Sequence, residues 1–305
     1  MRSLSNIVAT ILLFASGCIG LSDPMPAPNV PITPRRIFNL PADPNLPSLF
    51  LIGDSTVRNG AGRGDGGQWG WGDFLAPYFN TNELNVVNRA LGGTSSRTFY
   101  RDQWPAVKAL LKPGDFVILQ FGHNDASPIN DTNRARGTIP GVGDESQIIT
   151  NLITRKVEEV HSFGWYVTKF VTDVKAQGAT AIICSPIPHK QHWENGRDFA
   201  SLAGWDAQVA SNTGALFFDL TLVITDAYQQ AGREKVETYF ADKGTHTSDL
   251  GAQVNAACVI AGLKGLPGNL LGAFLSAQGE AIAPFIPSAA VPSTAFPSTN
   301  PPIHP

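Results

Sequence analysis

The chain has 305 residues, 43% of them hydrophobic and 15% charged, with a formal net charge of −3. That length supports one substantial core, and the composition is globular at the low-charge end that extracellular proteins often occupy. The near-neutral balance and the lack of any basic run leave nucleic acid no electrostatic footprint.

Arg2 is followed by an apolar stretch from Ile7 to Ala15 and then by the small residues Ser16 and Gly17. The stretch is too short to span a bilayer and has the layout of a secretory signal, so residues 1–17 read as a signal peptide and the protein as secreted or periplasmic. Cleavage after Gly17 exposes Cys18, and Ala15-Ser16-Gly17-Cys18 loosely matches a bacterial lipoprotein box. A lipid anchor at the cell surface is therefore the alternative to plain secretion, and the one membrane contact the sequence offers. Residues 18–47 repeat proline without periodicity and read as a linker.

The domain is expected over residues 48–268. It opens with an apolar run through Ile52 that stops at Gly53-Asp54-Ser55-Thr56, the pattern of a buried parallel strand delivering a serine at its carboxyl end. A glycine-rich loop from Val57 to Gly67 follows, then Trp69-Gly70-Trp71-Gly72-Asp73, which opens a short helix through Tyr78. A second strand over 84–88 ends in Gly92-Gly93-Thr94-Ser95-Ser96-Arg97, and a helix near 104–111 leads to a third strand ending in Gly122-His123-Asn124-Asp125. Residues 126–143 are polar, with no core pattern, and longer than ordinary connections, which marks a functional loop. Phe163, Tyr166, Val167, Phe170, Val171 and Val174 recur at helical spacing, with Ser162 as N-cap and Gly178 as the stop. A fourth strand over 180–184 precedes a loop with His189, His192 and Trp193; a helix and a fifth strand over 215–219 follow. After another helix, the loop 239–247 ends at Ser248, which caps a last helix. Five strands alternating with helices predict an α/β fold with a parallel sheet covered on both faces. Residues 269–305, proline-rich and aperiodic at their end, read as a disordered tail. Cys184 and Cys258 read as small buried hydrophobes, with a disulfide between them left open by export.

Four loops thus meet at one sheet edge with the groups acyl transfer needs. Ser55 can attack a carbonyl and His246 can take its proton. The backbone N–H groups of Ser55 and Gly93 and the Asn124 side-chain amide can receive the oxyanion. Trp71 and Trp193 lie on edge loops and could stack on sugar rings, or could equally be local core. His123 reads as a structural hydrogen-bonder and His189 and His192 as solvated loop residues, since no carboxylate or Cys cluster accompanies them as metal ligands.

Taken in order, Gly-Asp-Ser-Thr at Ser55, Gly-Gly-Thr-Ser at Gly93, Gly-His-Asn-Asp at Asn124 and Thr-His-Thr-Ser at His246 resemble the SGNH or GDSL-type hydrolases. Trp69 to Asp73, Val87 to Ala90, Ser96 to Phe99, Phe163 to Tyr166 and Gly251-Ala252 are similar to the rhamnogalacturonan acetylesterase branch, over roughly Leu49 to Leu266. The resemblance implies a three-layer α/β/α flavodoxin-like fold, hydrolysis through an acyl-serine, and no metal or organic cofactor. It implies acetylated plant cell-wall polysaccharide, pectic rhamnogalacturonan first, as the partner and substrate. It also implies a carboxylate three residues before the histidine, and here that position is Lys243. Asp242, one residue further back, is the assigned acid, with Lys243 expected in solvent; Asp219 ends the fifth strand and reads as structural, and Asp249 reads as serving the first turn of the last helix. The alternatives are the same machinery acting on acetylxylan, lipid or aryl esters, and a wall-binding module weakened in catalysis by Lys243.

Overall fold

The first strand, β1 (Ser48–Gly53), is buried along its whole length, which is why its sequence is an unbroken apolar run rather than an alternation. The computed structural model describes residues 41–195 and 198–287. The signal peptide, Cys18, most of the linker and residues 288–305 lie outside the described residues. Next along the chain come β2 (Asn85–Asn88), helices α1 (Ser96–Asp102) and α2 (Trp104–Lys108), and β3 (Phe116–Gln120). A hairpin of β4 (Ser146–Thr150) and β5 (Val157–His161) precedes α3 (Phe163–Ala176), β6 (Thr180–Cys184), α4 (Ala200–Thr213) and β7 (Leu216–Phe218). The chain then runs through α5 (Leu220–Ala231), α6 (Arg233–Glu237), α7 (Asp249–Gly265) and α8 (Ala277–Glu280).

The main sheet is five-stranded and parallel, in the order β2-β1-β3-β6-β7. Successive residues of β1 feed opposite cores. Leu49 and Leu51 join Ile118, Ile182 and Cys184 on one face, beneath α5 and α7 through Ile224, Val259 and Ile260. Phe50 and Ile52 join Val117, Leu119 and Ile183 on the other, beneath Phe99, Trp104, Phe170 and Val209 of α1 to α4. These are the three layers expected. Each such side chain taken fully out of water contributes roughly 1.5–3 kcal/mol before entropy is counted. The chain leaves β1 toward β2 on one side and builds β3, β6 and β7 on the other. The crevice beyond the carboxyl ends of β1 and β3 is therefore the topological switch point, where open α/β sheets bind ligands.

Several expectations change. The hairpin was not anticipated, because its outward residues include Ile148 and Val157, each 74% exposed, and no polar–apolar alternation marks it. The segment opened by Trp71 forms two short 3₁₀ turns, Trp71–Phe74 and Ala76–Tyr78, rather than one helix. Helix α1 occupies residues read as loop: Ser95 caps it by accepting from the Thr98 N–H. The domain also reaches beyond 48–268. At its start, Asp43 donates its N–H to Asn85 Oδ1 at 3.0 Å, and Lys112 Nζ donates to the Leu46 carbonyl at 2.7 Å. At its end, part of the expected tail is packed: Leu271 is buried, Asn80 donates to the Phe274 carbonyl, and Phe285 donates to that of Ala261. Cys184 and Cys258 are both buried free thiols.

Candidate active site

Ser55 follows β1 by two residues, and its display depends on the buried residue between. Asp54 Oδ1 accepts from the Thr56 N–H at 2.9 Å and from the Thr56 hydroxyl at 2.7 Å. The Thr56 hydroxyl accepts from Gln120 Nε2 at 2.5 Å, and Gln120 Oε1 accepts from Trp71 Nε1 at 2.7 Å. The turn is thereby tied to β3. Gly53 is needed for close approach rather than for an unusual turn angle, since a Cβ there would lie 2.5 Å from the Gln120 carbonyl.

His246 arrives on the loop before α7. That loop is pinned to the Gly-Trp segment: Trp69 donates its N–H to the Thr247 carbonyl at 2.9 Å, and Thr247 Oγ1 donates to the Trp69 carbonyl at 2.8 Å. His246 Nε2 stands 2.9 Å from Ser55 Oγ, and its Nδ1 stands 2.6 Å from Asp242 Oδ2. The other oxygen of Asp242 accepts the N–H groups of Gly244, Thr245 and His246, so the loop wraps around the carboxylate. Partial burial pushes Asp242 up, but those N–H bonds and the His246 ring outweigh it and hold the carboxyl at about 2. An ionised carboxylate can only accept, so Nδ1 carries the proton and Nε2 is left to accept from the Ser55 hydroxyl. Lys243 is exposed, and its carbonyl accepts from the Gln191 amide. The separation of four residues is absorbed by the carboxylate-centred turn.

The Gly92-Gly93 turn lies against the serine: a Cβ at Gly92 would sit 3.5 Å from Ser55 Cβ. Gly93 takes φ +84°, a left-handed conformation that favours glycine. Among the described residues, the N–H groups of Ser55 and Gly93 form no hydrogen bond within the chain. Asn124 Nδ2 donates one hydrogen to the Thr94 carbonyl at 2.7 Å, which fixes the amide and leaves its second hydrogen uncommitted. The crevice thus holds a hydroxyl, an imidazole oriented by a carboxylate, and three N–H donors on adjoining loops.

Other residues singled out from sequence fall elsewhere. Trp71 is 1% exposed and Trp193 6%, both in the core beneath α5 and α7, so neither ring offers a face to a sugar. The large apolar surface of each was better used in packing, Trp193 edge-on to Tyr228. His123 is half-buried, but both ring nitrogens are shielded from solvent and lack a hydrogen-bond partner among the described residues, and desolvation pushes it down to about 3, so it stays neutral. His189 is half-buried rather than solvated, pairing with Asp198 at 2.8 Å, while His192 is exposed. Among the described residues, no group of three or more His, Cys, Asp or Glu is placed to hold a metal. Asp219 caps α5 and Asp249 lies in the first turn of α7. Sequence reasoning gave no role to Arg134 and Arg136, whose guanidinium groups stand beside Gly93. Their loop was marked only by its length and polarity.

Beneath the crevice, buried carboxyls carry a pH dependence. Burial pushes Asp125 up to about 7 against its bonds from Ser96, and Asp54 up to about 6 against its bonds from Thr56. A carboxyl with a folded value above its unfolded one contributes stability that is fully present below about pH 4 and lost as pH rises through about 7. Asp242 and Glu158, each held at about 2, have completed their opposite contribution well before that. His123 also acts oppositely below its unfolded value, so the test is a difference. Asp125→Asn should lose less Tm than wild type between about pH 5 and about pH 8, the gap corresponding to a few kcal/mol. Equal Tm changes in both proteins would remove Asp125 from this account.

A sequence profile of the GDSL-like Lipase/Acylhydrolase family matches residues 51–254. A protein named rhamnogalacturonan acetylesterase from Emericella nidulans is 28% identical over 214 residues, covering 68% of this chain and 81% of that protein. A protein named probable rhamnogalacturonan acetylesterase YesY, from Bacillus subtilis, is 30% identical over 231 residues, covering 72% and 94%. The crystal structure of protein YxiM from Bacillus subtilis superposes with TM-score 0.54 at 23% identity, covering 72% of this chain and 56% of that one, and shares the fold.

Proposed function

The chain belongs to the GDSL-like lipase/acylhydrolase family, and on that footing we propose that it is a serine esterase removing O-acetyl groups from pectic polysaccharide. The observation that carries the chemistry is the unbroken line from Ser55 Oγ through His246 to Asp242, at 2.9 Å and 2.6 Å, beside uncommitted N–H donors. Ser55 Oγ attacks the acetyl carbonyl carbon as its proton passes to His246 Nε2. Asp242 holds the ring orientation and stabilises the imidazolium. The carbonyl oxygen, now negative, is received by the N–H groups of Ser55 and Gly93 and by the Asn124 amide. Collapse expels the sugar oxygen, which takes the proton from His246, and leaves acetyl-Ser55. Water, deprotonated by His246, attacks this ester; acetate leaves and Ser55 recovers its proton.

The pectic assignment is supported by the names of the Emericella and Bacillus relatives, not by a feature of the crevice. The signal-like start of the chain supports work on polymer outside the cell. Acetate should be released faster from acetylated rhamnogalacturonan than from acetylxylan or triglyceride. Equal or higher rates on acetylxylan would transfer the protein to that substrate.

A further inference from the structure

We propose that Arg134 and Arg136 form a carboxylate-binding subsite beside the reacting ester, so that the preferred acetyl group lies next to a uronic acid residue of the chain being deacetylated. The proposal rests on the reading of Ser55 as an esterase nucleophile.

Arg134 is exposed, with Nη1 2.8 Å from where a Cβ on Gly93 would stand. Arg136 is half-buried; its Nη1 donates to the Gly93 carbonyl at 2.8 Å and its Nε to Ser127 Oγ at 3.2 Å. Among the described residues, neither guanidinium forms an ion pair with a carboxylate. Arg136 feels the like charge of Arg134 and, through space, the opposite charges of Asp54, Asp125 and Asp131, but no carboxylate touches either guanidinium among the described residues, so the arrangement is useful where an anion arrives. The acetyl ester brings none, since it is neutral and its oxygen is served by N–H donors. A charge beside it therefore addresses another part of the substrate. A planar carboxylate matches the guanidinium fork, and the planar groups abundant on pectic chains are uronic carboxylates.

The loop is built to hold this arrangement before substrate binds. Arg97 is fully buried, grips Glu158 through Nε at 2.8 Å and Nη2 at 2.7 Å, and donates Nη1 to the Ile129 and Gly137 carbonyls at 2.8 Å. Asp131 Oδ1 gathers the N–H groups of Asn133, Arg134 and Ala135. Asn130 Nδ2 ties the loop to the Thr150 carbonyl at 3.1 Å. Between the arginines, Ala135 is 1% exposed and takes φ +44°, a conformation costly for a residue with a Cβ. Such strain persists where the surroundings impose it. Arg136 is the positioning residue, since its bond goes to the Gly93 carbonyl; Arg134, whose guanidinium has no hydrogen-bond partner among the described residues, is the one that reaches the substrate.

The test compares Arg134→Ala and Arg134→Lys with wild type on acetylated rhamnogalacturonan fragments, the same fragments after carboxyl reduction, and nitrophenyl acetate. Arg134→Ala should lose about 10- to 100-fold in kcat/KM on the charged fragments, mainly through KM, and at least about tenfold less on the reduced ones. Arg134→Lys should recover part of the loss, and added salt should shrink the wild-type preference for charged fragments. Equal losses on charged and reduced fragments, or none on either, would overturn the subsite while leaving the esterase intact. Failure of wild type on nitrophenyl acetate as well as both fragments would instead remove the esterase reading, and the subsite with it.

Discussion

His246→Ala should lower turnover on nitrophenyl acetate by on the order of 10⁴- to 10⁶-fold, the range that follows loss of the base from a serine–histidine–carboxylate unit. The size follows from the geometry: His246 Nε2 at 2.9 Å is the base placed to accept the Ser55 proton. The neighbouring His123 cannot substitute, its ring nitrogens being shielded from solvent and its pKa pushed down to about 3. Asp242→Asn should cost less than His246→Ala, about 10⁴-fold at most, because it disturbs the tautomer and the imidazolium but leaves the base in place. The measurement is kcat for each variant alongside its Tm, to separate chemistry from folding. Full turnover in a folded His246→Ala protein would dissolve the proposed unit, and an unaltered Asp242→Asn would reduce it to a dyad.

Asn124→Ala should lower kcat by about 10²- to 10³-fold, or about 3 to 4 kcal/mol, with a much smaller change in KM. Its amide is fixed by the Thr94 carbonyl at 2.7 Å, so the remaining hydrogen is in place before charge develops on the ester oxygen. Such a donor is worth most in the transition state, when the oxygen is negative. The substitution also strands the Thr94 carbonyl, a stability cost of about 1–3 kcal/mol, so kcat is read well below the variant's Tm. A folded variant with wild-type kcat would take Asn124 out of the oxyanion site.

The sheet was legible because strands covered on both faces must be apolar at every position, as Leu49 to Ile52 and Val117 to Leu119 are. Their loops were legible because Gly-Asp-Ser and Gly-His-Asn follow those runs immediately. Burial of Trp71 and Trp193 was not legible, since a loop tryptophan reads alike whether it faces solvent or core. Nor were the positions of Arg134 and Arg136, which depend on a long connection folded onto a distant buried arginine, Arg97, with no periodic signal of its own. The packed segment after α7 was hidden by its prolines, although Leu271 anchors it in the core. For the acid, sequence spacing pointed to Asp242 over Lys243 only by chemistry; the turn that seats Asp242 Oδ2 2.6 Å from the imidazole is a tertiary fact.

Acetate released from acetylated rhamnogalacturonan, measured for wild type beside a folded Ser55→Ala variant, tests the central claim most directly. The account predicts steady release by wild type and none above the enzyme-free rate by Ser55→Ala within the assay. Release by Ser55→Ala at the wild-type rate, or none from either protein, would contradict it.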